Sequence, residues 1–497
     1  MNDVRTVTGS TDRVVVVGAG LGGLSCALRL VAAGREVTVV EREPRPGGRA
    51  GLLEIGGYAF DTGPTVLTMP GLLDEALGAV GENRSDWLEL RRLDPAYRAH
   101  FPDGSTLDVI ADRDRMAVEV ARVCGGREAQ GYRRFATYAE DLWHLQRDHF
   151  IDRHLDSPRD LMHLNLLKLL GRGGFRRLDT KIGQFFADPR TRRIFSFQAM
   201  YAGLAPTDAL ALYAVISYLD TIAGVWFPRG GMHAVPAALA GAAAKHGVTF
   251  RYGTTVTAVE TRAGRATGVR TSTGEHIPAD AVVLNPDLPI AYRDLLPSTP
   301  PRLRRLRHSP SAVVVHAGSR QRYAKIAHHN IHFGGAWHRT FDEVIRHGTV
   351  MSDPSLLVTN PTRSDPSLAP AEREAYYVLA PAPNLAVGRI DWSDGYGERY
   401  ADELVETMER RGYVGFGAGI EVRRVVTPAD WAASGLAAGT PFAAAHTFRQ
   451  TGPFRPHQLH PTLSNVVFVG SGTQPGVGVP MVLISGKLAA ERVTGRA

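Results

Sequence analysis

The chain has 497 residues, of which 44% are hydrophobic and 22% charged, and its formal net charge is +7. This composition excludes wholesale disorder and is sufficient for two or three compact units. The positive charge permits attraction to nucleic acid or to an anionic membrane surface, but no helix-turn-helix, zinc-finger or RNA-binding motif accompanies it. Nucleic acid is therefore not an expected partner, and no metal site is expected.

Cysteine usage and the N-terminal residues bear on the compartment. The two cysteines, Cys26 and Cys124, are far apart and form no CxxC pair, which is typical of a protein in a reducing compartment. Residues 1–12 are polar and lack the apolar core of a signal peptide. Glycines divide the apolar run at 14–34 into strand, turn and helix, which argues against a membrane span. The sequence predicts a cytoplasmic protein without a transmembrane helix.

A dinucleotide-binding pattern lies near the start of the chain. The β-branched run Val14–Val17 is typical of a buried strand, and Gly18-x-Gly20-x-x-Gly23 follows it at once, before a helix and a second strand that ends at Glu41. Gly18 permits the tight turn, Gly20 lets the backbone approach a pyrophosphate, and Gly23 lets the helix pack on the sheet. Glu41 is placed to accept hydrogen bonds from a ribose hydroxyl. Together these parts favour a dinucleotide site over a structural glycine turn.

The next two glycine-containing loops bear on which dinucleotide is bound. GxGxxG, an acid, PGGR at 46–49 and DTGPT at 61–65 follow one another as in the flavin amine oxidase and carotenoid desaturase superfamily, which the chain resembles. In that superfamily the GGR segment contacts the flavin and its phosphates, so the resemblance implies FAD. The cofactor contacts implied in these loops are Gly48, Arg49, Gly63, Pro64 and Thr65.

Residues 112–218 lose the alternation of strands and turns and are predicted to be mainly helical. Within them, the segment 157–178 carries leucines at helical spacing, followed by arginines: Leu161, Leu164, Leu167, Leu170, Arg172, Arg176 and Arg177. One interpretation is a membrane-surface segment, with the leucines in the acyl layer and the arginines near the headgroups. The other is a core-facing amphipathic helix with a solvated end. The residues themselves leave both open.

Strand patterns return after residue 224. Residues 247–260 alternate as successive strands should and contain Val256, which is expected to contact the cofactor; residues 279–286 have the pattern of a buried strand that ends in a turn. These strands suit the dinucleotide domain better than the helical region. Residues 356–359 and 376–380 look like paired strands of a second sheet, which either supports a substrate or is purely structural.

The C-terminal segment repeats the order of strand, glycine-rich loop and helix. Val466–Val469 is predicted to be another strand of the same sheet, and the helix after it offers free N–H groups to the pyrimidine end of the flavin. The two glycine loops are therefore interpreted as two ends of one FAD site. The contacts expected here are Gly470, Gly472, Thr473, Val479, Pro480 and Met481.

The predicted fold class is α/β, with a discontinuous Rossmann-like FAD-binding domain, an inserted α+β substrate domain and a helical membrane-facing region. The FAD-binding domain is assigned residues 1–111, 224–292 and 446–497. The helical substrate and membrane region is assigned 112–223, and the sheet and helices of the substrate domain 293–445.

Motifs along nearly the whole chain resemble those of the bacterial and fungal phytoene desaturases, carotenoid desaturases that use FAD alone. They are GAGLGGL, PGGRAG, DTGPTVLT, IFSFQAMYAG, GVWFPRGG, DPSLAP, YYVLAPAPN, HTFRQTGPFRP and VGSGTQPGVGVPMV. The resemblance implies dehydrogenation of 15-cis-phytoene, through intermediates, toward lycopene. Dehydrosqualene or a later carotenoid is an alternative substrate.

The implied reaction removes a hydride from one carbon and a proton from its neighbour. No side chain accepts a hydride, so flavin N5 is the natural acceptor, and an apolar polyene has to be positioned by a long apolar tunnel. By resemblance, Arg159 and Asp160 match a pair that has been suggested to take part in catalysis, although His163 stands where the family has a further basic residue. Asp160 is also interpretable as an acid at a helix N-terminus.

The resemblance also bears on partners and location. An insoluble hydrocarbon resides in the bilayer, so the enzyme is expected to be peripheral on the inner face of the cell membrane, with segment 157–178 as a contact. No second GxGxxG motif is present in mid-chain, so oxygen or a quinone is the expected electron acceptor.

Two other classes of protein remain open. An amine or protoporphyrinogen oxidase would share the flavin motifs, although YVLAPAPN and FRQTGPFRP favour the desaturase. A non-catalytic prenyl-lipid carrier on the same fold would not need an intact flavin fingerprint. A yellow colour on purification distinguishes the enzyme from the carrier.

Overall fold

The computed structural model describes residues 4–495. Its strands are β1 (Arg13–Val17), β2 (Glu36–Val40), β3 (Leu52–Ile55), β4 (Tyr58–Asp61), β5 (Leu90–Arg92), β6 (Tyr97–His100), β7 (Thr106–Val109), β8 (Trp226–Pro228), β9 (Thr249–Arg251), β10 (Val256–Arg262), β11 (Arg265–Thr271), β12 (His276–Pro278), β13 (Ala281–Leu284), β14 (Ser311–Ser319), β15 (His329–His332), β16 (Leu356–Thr359), β17 (Glu374–Ala382), β18 (Ile420–Val426) and β19 (Val466–Phe468).

The helices are α1 (Leu21–Ala32), α2 (Gly71–Gly78), α3 (Arg113–Cys124), α4 (Gly126–Gln146), α5 (Leu164–Gly171), α6 (Leu178–Ile182), α7 (Pro189–Ile194), α8 (Ala214–Tyr218), α9 (Ala234–Lys245), α10 (Leu288–Ile290), α11 (Trp337–Asp342), α12 (Tyr396–Arg410), α13 (Phe416–Gly419), α14 (Pro428–Ala433) and α15 (Val479–Thr494). The longest run of helices, α3 to α8, lies between β7 and β8.

One sheet is entirely parallel and has the order β19-β13-β1-β2-β9. Its central strand β1 buries all four of its valines, as expected for a strand covered on both faces. Val17, Leu284 and Phe468 are register partners at the carboxyl ends of three neighbouring strands. Three distant parts of the chain therefore leave the sheet at one edge, and the predicted discontinuous Rossmann-like domain is confirmed.

Helices α1 and α15, which follow the two glycine loops, pack directly on each other. The Ser25 hydroxyl donates a hydrogen bond to the carbonyl oxygen of Leu483 at 2.8 Å. A Cβ added to Gly486 would lie 2.6 Å from the carbonyl oxygen of Gly22, so the helices approach more closely than larger residues would permit. This contact brings the N-termini of both helices to the same edge of the sheet.

The second large sheet has the order β18-β14-β17-β16-β15-β6-β7. The expected pairing of residues 356–359 with 376–380 is confirmed, because β16 and β17 are antiparallel with Val358 opposite Val378. Strands β14 and β17 form the buried centre of this sheet.

Residues 97–109 join this second sheet, although the predicted boundary at residue 111 assigns them to the cofactor domain. β6 pairs in parallel with β15, with Arg98 opposite Asn330, and β7 extends the edge. β6 alternates between buried and half-buried side chains, and this pattern does not indicate which sheet it joins. The partner strand lies far along the chain, so local sequence carries no signal of the pairing.

The segment 157–178 is less regular than a single amphipathic helix. A 3₁₀ turn at Pro158–Leu161 precedes α5, and the backbone is extended at His163, whose side chain caps the helix by accepting from the Asn165 N–H at 3.2 Å. The helix starts three residues after the first leucine of the pattern. Among residues 4–495, none of the helices combines the length and the apolarity needed to cross a membrane.

Two ion pairs fasten α15 to the chain that precedes α5. The fully buried Arg492 donates to both carboxylate oxygens of Asp156, at 2.9 and 2.6 Å, and Lys487 donates to Asp152 at 2.8 Å. Burial alone would raise the pKa of Asp156, but the nearby His457 ring and the hydrogen bonds from Arg492 outweigh it and hold that pKa below its usual range. Ion pairs thus link α15 to the helical region of the chain.

Replacing Asp156 by Asn is expected to lower the free energy of unfolding at pH 7 by about 3 kcal/mol, because the buried Arg492 keeps its charge and loses its carboxylate. The pKa of Asp156 in the folded protein is depressed. The stability that the carboxylate contributes is therefore present above the unfolded pKa of about 3.9 and is lost as the pH falls through the folded pKa. In urea denaturation, the difference in free energy of unfolding between wild type and Asp156→Asn should therefore become smaller below about pH 4.

The exposed pair Arg293–Asp294 provides the control, since Asp294→Asn should cost less than about 1 kcal/mol. Equal losses in the two variants would contradict a special role for the buried pair.

Candidate active site

A cavity of about 1670 Å³ connects the two sheets. Its wall includes the loops that follow β1, β13 and β19 and side chains from β14, β15, β16 and β17. Sites for one small molecule typically occupy about 300–1,000 Å³. The cavity therefore has room for a dinucleotide and for a second, long molecule.

Five glycines, namely Gly18, Gly20, Gly22, Gly23 and Gly470, surround Asn285, the first residue after β13. A Cβ added to Gly20 would lie 2.5 Å from Nδ2 of Asn285, and one added to Gly22 or Gly470 would lie 3.0 or 3.1 Å from its Oδ1. Gly18 and Gly470 have φ angles of 96° and 104°, which glycine adopts without steric cost. The N-terminal and C-terminal glycine loops thus meet around one side chain, and the sequence pattern did not single out Asn285.

The start of α1 is suited to an anion. The helix follows Gly20 and has no acidic residue in its first turn, so its free N–H groups are available to a phosphate. The buried Glu41 accepts hydrogen bonds from the backbone N–H groups of Ala19 and Glu43, at 2.6 and 2.9 Å. Each oxygen retains a lone pair for a ribose hydroxyl. This end of the cavity fits the adenosine diphosphate half of a dinucleotide.

Arg49 joins three distant loops at the cavity. Its guanidinium donates to Oδ1 of Asp287 at 2.9 Å and to the hydroxyl of Ser471. Oδ2 of Asp287 accepts from the Ala437 N–H at 3.0 Å. A Cβ added to Gly63 would overlap the carbonyl oxygen of Arg49, so the DTGPT loop lies directly against the PGGR loop. Besides the flavin contact predicted for it, Arg49 therefore holds the cofactor loops together.

Asp61, the first residue of DTGPT, holds the GVWFPRGGM segment in place. Its carboxylate accepts from the N–H groups of Met232 and His233 at 2.9 and 3.0 Å, and the His233 ring donates to the Pro46 carbonyl oxygen at 2.9 Å. Burial raises the pKa of Asp61 to about 6, against the effect of the two backbone hydrogen bonds. Three motifs that are separate in the sequence are thus in contact.

Arg455, from the FRQTGPFRP motif, organises the C-terminal loop from behind. It is fully buried and donates to the carbonyl oxygens of Ser471 and Thr473 at 2.6 and 3.0 Å. Burial lowers the pKa of Arg455 to about 10, so it remains protonated at neutral pH. The Thr473 hydroxyl donates to the Pro456 carbonyl oxygen at 2.7 Å, and Thr473 is not part of the cavity wall.

Most of the residues expected to contact the cofactor lie in the cavity wall: Gly18, Gly20, Glu41, Gly48, Arg49, Gly63, Pro64, Thr65, Val256, Gly470, Gly472, Val479, Pro480 and Met481. Thr473 does not, and neither does Gly23. A Cβ added to Gly23 would overlap the carbonyl oxygen of Gly18, which agrees with the packing reason given for this glycine. Their contacts with the cofactor remain predictions.

Arg159 and Asp160, the predicted catalytic pair, lie in the 3₁₀ turn before α5, and neither lines the cavity. Asp160 accepts from the Ser157 N–H at 2.7 Å, and the Ser157 hydroxyl accepts from the Arg159 N–H at 3.2 Å, so the pair belongs to a capping box. Arg159 is exposed. The geometry corresponds to the alternative interpretation, a capping acid, and gives a catalytic role no support.

Beyond the loops, the cavity wall is largely apolar and aromatic. The second sheet and α11 contribute Ile331, Phe333, Trp337, Phe341, Leu357 and Leu379. At its outer end, the cavity wall contains Leu166 and Leu169 of α5 and the side chains of Phe448 and Phe454. The two phenylalanines are exposed to solvent. The cavity therefore opens to the surface between α5 and the loop at 448–454.

Comparison with known proteins agrees with this architecture. The profile of the family described as flavin containing amine oxidoreductase matches residues 21–494, so the chain belongs to that family. A phytoene dehydrogenase of Streptomyces griseus is 58% identical over 99% of this chain and 96% of its own length. A zeta-carotene-forming phytoene desaturase of Myxococcus xanthus is 39% identical over 97% of this chain and 93% of its own length. These relatives confirm the resemblance to phytoene desaturases.

A solved oxidoreductase structure from Methanosarcina mazei supports the fold. It has a TM-score of 0.62 at 18% identity, and the match covers 96% of this chain and 99% of that one. At this identity the likeness shows the fold alone.

The protein is an FAD-dependent oxidoreductase, and the residues present fit FAD. The glycine loops around Asn285 line the cavity and leave no room for a Cβ at Gly20, Gly22 or Gly470, and α1 and Glu41 would hold the adenosine diphosphate half. Gly470, Gly472 and the N-terminus of α15 would hold the flavin half. When bound, FAD supplies a two-electron acceptor for hydride.

Replacing Gly63 by Ala is expected to weaken FAD retention about tenfold or more, because the added Cβ forces the Arg49 backbone away from its place in the site. Gly71→Ala is the matched control, since a Cβ there meets no atom within 4 Å. The flavin-to-protein absorbance ratio after gel filtration measures the difference. Full occupancy in Gly63→Ala would contradict the assignment of this loop.

Proposed function

We propose that the protein dehydrogenates 15-cis-phytoene, through intermediates, toward lycopene. The observation that carries the proposal is one continuous cavity, which extends from the FAD loops at the parallel sheet to apolar walls at the surface. A polyene without polar groups has to be positioned by shape, and walls of this kind do so. The identity to curated phytoene desaturases supports the same substrate class.

The protein's own part in the reaction is to align the polyene and to exclude water. Leu357, Leu379 and Phe333 present apolar surface to the cavity from three strands or strand ends of the second sheet. Such a wall holds a rigid conjugated chain in one orientation, so the saturated carbons next to the polyene are presented in one geometry. A dry wall also protects positive charge developing on the polyene from attack by water.

Expression in a host that accumulates phytoene is expected to deplete phytoene and to produce coloured carotenoids. Chromatography of the pigments measures the number of double bonds introduced, because zeta-carotene and lycopene separate from each other. The Gly63→Ala variant in the same host is the control for dependence on FAD. An unchanged phytoene pool, with the wild-type protein folded and yellow, would overturn the substrate assignment.

We also propose that the protein docks on the inner face of the cell membrane through an apolar rim around the cavity opening. The rim consists of Met162, Leu164, Leu167, Leu170, Phe448 and Phe454, all of them exposed. Leu164 and Leu167 are 71% and 63% exposed, whereas Leu166 and Leu169 of the same helix line the cavity. The turn Gly452–Phe454 packs against the turn Pro158–Leu161, which makes the two parts of the rim neighbours.

Charge next to the rim favours an anionic leaflet. Four basic residues are exposed on α5 and the chain after it: Lys168, Arg172, Arg176 and Arg177. Basic residues near a membrane surface attract acidic headgroups. Docking would let a bilayer-resident substrate enter the cavity without crossing water.

Oxygen or a quinone is proposed as the electron acceptor, and anaerobic reoxidation of the reduced protein by a quinone in vesicles distinguishes the two.

The double variant Leu164→Ser/Leu167→Ser is expected to bind anionic vesicles at least about tenfold more weakly, since each buried leucine contributes about 1.5–3 kcal/mol. Vesicle co-sedimentation measures the loss. Val118→Ser/Val414→Ser is the matched control, because these valines are 68% and 76% exposed and do not line the cavity. Equal binding by both double variants would contradict docking through the rim.

A further inference from the structure

Asp220 is a buried carboxyl in an apolar stretch of the cavity wall. It lies in the π-helical turn Leu219–Ala223 after α8, is 3% exposed and lines the cavity. Within residues 4–495, its Oδ2 has no hydrogen-bond partner of normal geometry. An unsatisfied buried polar group costs about 1–3 kcal/mol, and more when charged. A group kept at such a cost inside a cavity is a candidate for function.

The other acidic side chains that the structure describes in the wall are all engaged. Each makes a hydrogen bond or an ion pair: Glu41, Glu43, Asp287, Asp294 and Asp430. They hold loops, helix ends or surface pairs. Asp220 differs from them because it has no such structural task.

The groups that face Asp220 are phenols. Tyr97 from β6 is fully buried, its hydroxyl has no hydrogen bond of normal geometry, and Tyr201 lines the cavity beside it. His329 packs on Tyr97 with ring centroids 5.4 Å apart, and burial lowers the pKa of His329 to about 3, so it is uncharged. Burial raises the pKa of Asp220 to about 7, while the Tyr97 hydroxyl acts in the opposite direction and favours the carboxylate.

We propose that Asp220 is the base that takes the substrate proton during desaturation, an inference that rests on the proposed function. One C–H bond next to the polyene breaks, and its hydrogen leaves with both electrons as hydride, for which FAD, when bound, would be the acceptor. The neighbouring C–H bond also breaks, and its electron pair becomes the second bond of the new carbon–carbon double bond. The proton goes to the carboxylate of Asp220, so the substrate is oxidised by two electrons and the acid becomes neutral.

Asp220→Asn is expected to lower kcat by about 10²–10⁴-fold, the usual contribution of a positioned base. FAD content and the binding of phytoene should stay at wild-type levels, because Asp220 touches neither a cofactor loop nor an ion pair. In the wild type, kcat/KM should rise with pH through a pKa near 7, as the carboxylate forms, and this rise should be absent in the variant.

Tyr97→Phe tests the same assignment without removing the acid. Loss of the hydroxyl that favours the carboxylate should move the midpoint of the pH profile upward. An infrared titration of the protonated carboxyl band should move with it, and this readout needs no turnover. Tyr132→Phe is the control, because the Tyr132 hydroxyl is also buried and unpartnered but does not face Asp220.

A kcat within about threefold of wild type in Asp220→Asn would overturn the proposal. If Asp220→Asn loses FAD, the Tyr97→Phe variant decides between the outcomes. A pH profile whose midpoint is the same in Tyr97→Phe and wild type would then overturn the proposal. Failure of the wild type to convert phytoene would contradict the proposed function instead.

Discussion

Glycine loops from distant parts of the chain approach one another closely at the carboxyl edge of the parallel sheet, around the side chain of Asn285. A Cβ added to Gly20, Gly22 or Gly470 would press on Asn285. This close approach brings the start of α1 and the loop before α15 to the same ligand. The dinucleotide site, the orientation of both helices and the origin of the cavity all depend on it.

Polar side chains hold the glycine-rich loops of the site in one conformation. Glycine-rich loops are conformationally permissive and lose much entropy on ordering, so they need anchors. Asp61 anchors one loop through backbone N–H groups, and Arg455 anchors another through carbonyl oxygens. Arg49 and Asp287 link the loops laterally. Asp61 and Arg455 lie outside the cavity wall, which leaves the cavity side of their loops to the cofactor.

Local patterns predicted the parts of the site whose requirements are local. The turn at Gly18, the acid at Glu41 and the final helix after Gly470 each follow from the geometry of a strand, a turn and a helix end. The cofactor contact predicted for Thr473 stays a prediction, because the orientation of this residue depends on contacts with Arg455 and Pro456 that lie outside the local pattern.

Features that depend on distant partners had no local signal. Nothing in the local sequence marks Asn285 or Asp220, because burial and missing hydrogen-bond partners exist only in three dimensions. β6 joined the second sheet through a strand far along the chain. The resemblance implies a catalytic role for Arg159 and Asp160, but both lie in the capping-box turn before α5 and outside the cavity wall. The parallel sheet also constrains how the protein matures. β1 leaves the ribosome long before its partner β13 and the outer strand β19, which lie much later in the chain. Until they arrive, one edge of the nascent sheet is unpaired and open to association with other chains, and long-range closure is slow. Capture of FAD is therefore a late step in biogenesis, because the loop after β19 completes the site only when nearly the whole chain has been made.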